Sequence, residues 1–297
     1  MAITQPATDP SAAGRLTCKL RDYYTLTKPE VNLLILMTTS AGYYLGSHGP
    51  LGVTTLLSTL AGTLLVASGT ATLNQFMERR YDAQMRRTAC RPVASGRLSA
   101  LEAFCFGLFL SVAGGMYLAL AVNRLAALLA VSTLLSYLLV YTPLKRKTPL
   151  CTALGAIPGA MPTLIGWAGA SGRIDARAWV LFAILFLWQF PHFLAIALLY
   201  RDDYARAEFR MLPQFDLDGR FTKIEIAVFT MVLVVATMLA GRGSARQLLG
   251  MAIAGLFFLY HSAKLALSNS NTLASRVVYA SVIYLPIVLG VMMASRP

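Results

Sequence analysis

Residues 51–73 read LGVTTLLSTLAGTLLVASGTATL, a run without one charged side chain. At a rise of about 1.5 Å per helical residue, a segment of this length reaches across a hydrocarbon layer roughly 30 Å thick. Lipid offers peptide groups no hydrogen-bonding partner, so a spanning segment must be a helix or belong to a closed barrel. The apolar residues here do not alternate at period two as a barrel strand requires. Similar runs recur, as from Leu101 to Val122, and candidate spans begin near residues 31, 51, 101, 125, 150, 176, 224, 248 and 277. Of the 297 residues, 57% are hydrophobic and only 13% charged, too apolar a mixture for an ordinary soluble domain. The expected architecture is all-α: a polytopic membrane protein of about nine transmembrane helices around a central cavity open toward the cytoplasmic side. Residues 1–28 are expected to form a cytoplasmic tail, and 29–297 a single intramembrane domain.

A formal net charge of +13 raises the question of a nucleic-acid partner. The basic residues are divided among short loops between apolar runs rather than gathered on one module, so no such partner is expected. Topology accounts for them. With the N-terminus inside, twenty of the 26 Lys and Arg fall in inner segments, and the outer ones are Arg124, Arg173, Arg177, Arg242, Arg246 and Arg296. That bias places the N-terminus in the cytoplasm and the C-terminus outside. Cys18, Cys90, Cys105 and Cys151 have no metal-ligand spacing and read as free thiols. The first 28 residues carry Asp9 and Asp22 and no apolar signal core, so neither a secretory signal nor a mitochondrial presequence is expected. A bacterial inner membrane suits this pattern.

Outer loops are short, whereas the inner loops after the second and sixth spans are long and carry both charge signs, so function is expected on the inner face. A short basic loop, Lys145-Arg146-Lys147, follows the fourth span, and the spacing hints at two four-helix halves. The fifth span carries Pro158 and Pro162 among Gly155, Gly159 and Gly166, and reads either as a kinked helix lining the cavity or as an ordinary proline kink.

In the first long loop, Asn74, Glu78 and Asp82 recur every four residues, which on a continued helix aims their oxygens the same way. Hard oxygen ligands suit Mg²⁺ that keeps part of its shell for phosphate oxygens. Arg87 and Arg91 follow at nearly the same interval with planar donors for phosphate. From this loop alone a second reading stays open, a juxtamembrane helix laced with salt bridges and held near anionic lipid.

The second loop begins Tyr200-Arg-Asp-Asp203-Tyr204, with Asp203 the favoured ligand. Upstream stands Trp188-Gln-Phe-Pro191-His192-Phe193, which puts a histidine roughly 12 Å inside the inner end of the span. His192 and Asp203 lie eleven residues apart and share a face if the helix is continuous. Ionisable groups at that depth are functional candidates, and imidazole suits a haem iron or proton transfer; a structural histidine bonded to a neighbouring helix is the alternative. His48 and His261 are weaker candidates. Tyr43, Tyr44, Tyr137, Tyr141 and Trp167 are expected mostly as interfacial anchors.

These motifs resemble the intramembrane prenyltransferases of the UbiA type and, within them, the protohaem IX farnesyltransferases, over nearly the whole chain. Asn74, Asp82, Arg87, Thr88, Arg91 and Pro92 match the wider superfamily. The segments Tyr141-Thr-Pro-Leu-Lys145-Arg146-Lys147-Thr148, Gly159-Ala-Met-Pro162-Thr-Leu-Ile-Gly166-Trp167 and Trp188-Gln-Phe-Pro191-His192-Phe193 resemble the haem-modifying branch. Two positions depart from the pattern: Glu78 stands where the family usually has Asp, and Arg80 where it often has another acid. The resemblance implies farnesyl diphosphate and haem B as substrates and haem O and diphosphate as products. It implies Mg²⁺ held by Glu78, Asp82 and Asp203, diphosphate met by Arg87, Arg91, Lys145, Arg146 and Lys147, and haem held by His192 with Trp188. It also implies a haem A synthase or a terminal-oxidase assembly as downstream partner. The rival readings are a prenyltransferase for an aromatic quinone precursor and a non-catalytic transporter or scaffold; the lack of an ionisable relay across the membrane argues against transport.

Overall fold

The computed structural model describes residues 12–216, 218–241, 244–268 and 270–294. Asp9, Arg242 and Arg296, used above for the leader and the charge bias, lie outside the described residues. The elements run α1 (Ala12–Leu26), α2 (Pro29–Gly46), α3 (Val53–Asp82), α4 (Ala100–Ala121) and α5 (Arg124–Leu135). A π-helical turn, Ser136–Tyr141, leads into α6 (Thr142–Leu144), and α7 (Cys151–Ser171), α8 (Ala176–Leu199), α9 (Arg201–Arg206), α10 (Arg220–Ala240), α11 (Ala245–Ala266) and α12 (Asn271–Ala294) follow. No strand occurs among the described residues.

Seven of these helices are long and apolar enough to cross a membrane, α5 through α6 counting as one. The nine expected spans correspond to those seven together with α2 and α7, which match in length but not in apolarity. Composition makes the difference. Helix α2 carries Asn32, Thr38 and Thr39, all buried, and α7 is rich in Gly, Ala and Pro with twelve buried residues. A helix surrounded by other helices needs no lipid-facing surface. Helix α7 touches α2, α3, α5 and α8, and its residues take part in both large apolar clusters of the bundle.

The α2–α7 crossing depends on residues without side chains. A Cβ at Gly42 would run into the Thr163 carbonyl, and one at Gly166 into the Thr39 carbonyl. Small residues let helix backbones approach closely where lipid gives no hydrophobic drive for association. Around this centre, successive helices pack in chain order, α3 along α4 and α10 along α8 and α11, while α12 returns to α8 and α2.

Caps end the helices at the loops. Ser99 and Glu102 form a reciprocal capping box on α4, and Asp175 accepts the Arg177 and Ala178 amides at the start of α8. Helix α1 is not loose: Leu26 is fully buried, Tyr23 stands edge-on to Phe106, and Asp22 accepts from Arg97. All four cysteines are free thiols, as expected.

Replacing Gly166 by Val should force α2 and α7 apart and destabilise the detergent-solubilised protein by about 1–3 kcal/mol. Gly290→Ala, where nothing lies within 4 Å of the added carbon, should leave the thermal midpoint unchanged or raise it slightly, alanine being the better helix former. Paired thermal unfolding scans check both.

Candidate functional site

The long helix α3 carries the four-residue repeat beyond the apolar run, so Asn74, Glu78 and Asp82 share a face as expected, and all three are buried. The helix ends at Asp82, with Arg79 and Arg80 in its last turn where cations favour the carbonyl end. Arg80 is exposed, away from the acids, so it occupies no ligand position. Arg87 and Arg91 therefore do not continue the repeat. They sit in a coil of turns that brings the chain back on itself: the Thr88 hydroxyl donates to the Asp82 carbonyl at 2.9 Å, and Arg91 Nη1 then reaches both Asp82 oxygens at 2.7 and 2.8 Å.

The second pair forms across the bundle. Lys145, just past α6, donates to Glu78 Oε1 at 2.8 Å, and both side chains are more than nine-tenths buried. Burial alone would push the Lys145 ammonium down; the Glu78 carboxylate against it more than reverses this and holds it well above its ordinary value. The longer arm of Glu78 thus ends on Lys145. Lys145 also faces the Tyr141 ring at 4.5 Å and the Tyr137 and Phe209 rings at 5.9 Å. The π-helical turn carries both tyrosines, and the absence of a side chain at Gly155 leaves room for the Tyr141 ring.

Tyr137 and Tyr141 are therefore walls of the site and not interfacial anchors. Tyr43 and Trp167, 3% and 2% exposed, are packed inside and are not anchors either. An anchor must reach the lipid headgroups, and these rings face other helices.

The second acidic loop closes over the first. Asp203 is buried and accepts the Arg86 and Arg87 backbone amides and the Arg206 guanidinium, whereas Asp202 is exposed. The Arg87 guanidinium lies over the Tyr200 ring at 4.8 Å. A backbone bond from Arg210 N to the Lys145 carbonyl, 2.7 Å, ties this loop to the basic one. Arg146 bonds outward to the Tyr81 hydroxyl and Glu208, and Lys147 is exposed; of the basic triplet only Lys145 enters the cluster.

Helix α8 stops at Leu199 and breaks at Tyr200 before α9, so the expected common face of His192 and Asp203 does not exist. His192 instead turns to α12, where Nδ1 meets Ser281 Oγ at 2.7 Å and the imidazole stacks on Trp188. Trp188 is buried and donates to the Ser281 carbonyl at 2.7 Å.

Lys28 escaped the sequence reading. It caps α2 in the left-handed region at φ 51° and ψ 65°, a costly conformation for a residue with a Cβ, and its Nζ approaches Asn74 Oδ1 at 3.4 Å. Burial lowers it to about 7, and the positive charges of Arg91 and Lys145 add to the effect. Lys28 and Arg91 together line a cavity of about 310 Å³ between α1, α2 and α3. The only sequence signal was its place before Pro29, at the mouth of a span.

Two buried acids, a third one under the neighbouring loop, and three cations thus meet at the loop end of an apolar bundle. Residues 35–285 match the UbiA prenyltransferase family. A protoheme IX farnesyltransferase of Solibacter usitatus (strain Ellin6076) is 47% identical over 290 residues, spanning 94% of this chain and 99% of that protein. The chain belongs to the UbiA prenyltransferase family, among its protoheme IX farnesyltransferases. Among solved structures of this fold, a digeranylgeranylglyceryl phosphate synthase superposes with a TM-score of 0.75 at 20% identity, over 93% of this chain and 98% of that one. A UbiA homolog from Archaeoglobus fulgidus bound to GPP and Mg²⁺ superposes at 0.63 and 14% identity, over 91% and 99%. The shared fold makes this prenyltransferase a multi-pass membrane protein.

Glu78→Ala strands the Lys145 charge in a buried place and should cost about 3–5 kcal/mol. The double change Glu78→Ala with Lys145→Met should recover most of that loss, which a double-mutant cycle of thermal unfolding measures.

Proposed function

We propose that this chain transfers a farnesyl group from farnesyl diphosphate to a vinyl group of protohaem IX (haem B) with addition of water, giving haem O and diphosphate. The observation that carries the reading is the pairing of Asp82 with Arg91 and of Glu78 with Lys145 at the loop end of the bundle, in a chain 47% identical to a protoheme IX farnesyltransferase. The paired cations are the groups a departing diphosphate needs.

Among the described residues no three of His, Cys, Asp and Glu stand close enough to make a metal cage by themselves. Mg²⁺ does not require one, since it is commonly held by one or two carboxylates together with substrate phosphate oxygens and water. Glu78 and Asp82, one turn apart on α3, would form that pair, with Asp203 joining through water or substrate oxygens, and Arg91 and Lys145 would then exchange their carboxylate partners for phosphate oxygens. When bound, the metal supplies charge neutralisation for the leaving diphosphate.

The residues do the remaining work. Arg91, Lys145 and Lys28 meet the charge that develops as the carbon–oxygen bond of the farnesyl ester breaks. The rings of Tyr137 and Tyr141 and the apolar bundle beneath keep water from the allylic cation. The vinyl group attacks the farnesyl carbon that held the diphosphate, a carbon–carbon bond forms, and the cation left beside the porphyrin takes up water and releases a proton. His192 and Trp188 hold the haem. The N-terminal tail and the loops with these cations face the cytoplasm of a bacterial inner membrane, the C-terminus lies outside, and a haem A synthase or terminal-oxidase assembly receives the product.

A detergent assay with protohaem, farnesyl diphosphate and Mg²⁺, followed by mass, should yield hydroxyethylfarnesyl haem. Product should vanish with a chelator and fall at least about 100-fold in Asp82→Ala; prenylation of an aromatic acid without any haem product would overturn the reading. Lys28, lowered to about 7, becomes fully protonated as diphosphate arrives among Arg91, Lys145, Glu78 and Asp82. The protonated form is the one that binds, so kcat/KM for farnesyl diphosphate should fall as pH rises through about 7. Lys28→Arg, charged throughout, should flatten that profile.

A further inference from the structure

Ser281 lies in the middle of α12 and belongs to none of the motifs read from the sequence. It makes three polar contacts. Its hydroxyl oxygen stands 2.6 Å from the Val278 carbonyl one turn back. The same oxygen meets His192 Nδ1 at 2.7 Å, and its own carbonyl accepts the Trp188 indole N–H at 2.7 Å.

A serine has one O–H to give. Two oxygens 2.6 Å apart repel unless a proton lies between them, and a carbonyl has none, so the Ser281 proton is committed to Val278. Toward His192, Ser281 Oγ can then only accept, and Nδ1 must carry the hydrogen. The ring has no carboxylate among its contacts, and a second proton would leave an uncompensated charge at membrane depth. The neutral ring has a single N–H, which leaves Nε2 with its lone pair. Among the described residues Nε2 neither makes a hydrogen bond nor is sealed from its surroundings. The stacking of Trp188, with centroids 4.7 Å apart and planes 18° apart, fixes the ring from its face.

We propose that Ser281 is a positioning residue that locks His192 in the Nδ1–H tautomer, so that Nε2 coordinates the iron of the haem substrate. This rests on the haem reading above and deepens it: in this tautomer His192 has no Nε2 proton to donate and acts as a ligand rather than as an acid. An imidazole whose far nitrogen is held by an acceptor is the arrangement that orients a metal-bound histidine. No proton is released on binding, because Nε2 carries none.

The test is titration of the purified full-length protein with protohaem, read by absorption and electron paramagnetic resonance alongside the farnesyl-transfer assay. The wild type should show a histidine-ligated iron. Ser281→Ala should weaken haem binding about 10- to 100-fold and make the ligation signature heterogeneous, while Ser281→Thr, which keeps the hydroxyl, should retain both. His192→Gly should lose the signature and regain it with added imidazole. Product formation by the wild type together with unchanged ligation in Ser281→Ala and His192→Gly would overturn the proposal and leave the activity standing. Ligation that depends on both residues in a protein transferring no farnesyl group would uphold the proposal and sink the activity.

Discussion

A charge carried out of water must meet an opposite charge or pull water in after it, and the loop end of this bundle is arranged around that requirement. Lys145 and Glu78, both more than nine-tenths buried, satisfy each other across two separate parts of the chain. Asp82 and Arg91 do the same across the end of α3. Removing one member of such a pair costs more than the pair contributes, because the survivor is left uncompensated. The turns after α3, the segment after α6 and the loop around α9 are thereby bound to one another, with the Arg210 to Lys145 backbone bond as a further tie.

On the proposed reading, the same constraint would prepare the site for an anionic substrate. Arg91 and Lys145 are held at fixed positions by the carboxylates they would release to a metal diphosphate. Lys28, lowered to about 7 by burial beside other cations, is a third charge that an arriving anion would complete. Arg91 and Lys145 would thus exchange one partner for another on binding, and Lys28 would be the group whose charge the anion completes. Tyr137 and Tyr141 surround Lys145 with rings that tolerate its charge while excluding water.

Beneath this layer, α2 and α7 cross through small and hydroxyl-bearing residues. Helix α2 carries the buried Asn32 and Thr38, α7 carries Pro158 and Pro162, and both fall below the apolarity of the seven other long helices. The prolines expected at a kink sit in a helix packed against α2, α3, α5 and α8, and Gln189 of α8 meets it there, donating to the Ala156 carbonyl at 2.9 Å.

From the sequence alone came the helical membrane architecture, because the length of an uncharged run is a local property that lipid tests directly. The same holds for the shared face of Asn74, Glu78 and Asp82, since four-residue spacing on a helix needs no tertiary knowledge. The three motif segments were enough to point to the haem-modifying prenyltransferases. Tertiary structure alone decided the rest. The break at Tyr200 turned His192 away from Asp203, the π-helical turn aimed Tyr137 and Tyr141 inward, and a left-handed residue before Pro29 brought Lys28 to Asn74. Ser281 meets His192 across 89 positions of chain. Hydrophobic periodicity says which segments form helices, but the rotation of each helix about its axis follows from packing against all its neighbours, and that rotation chooses which polar side chains meet.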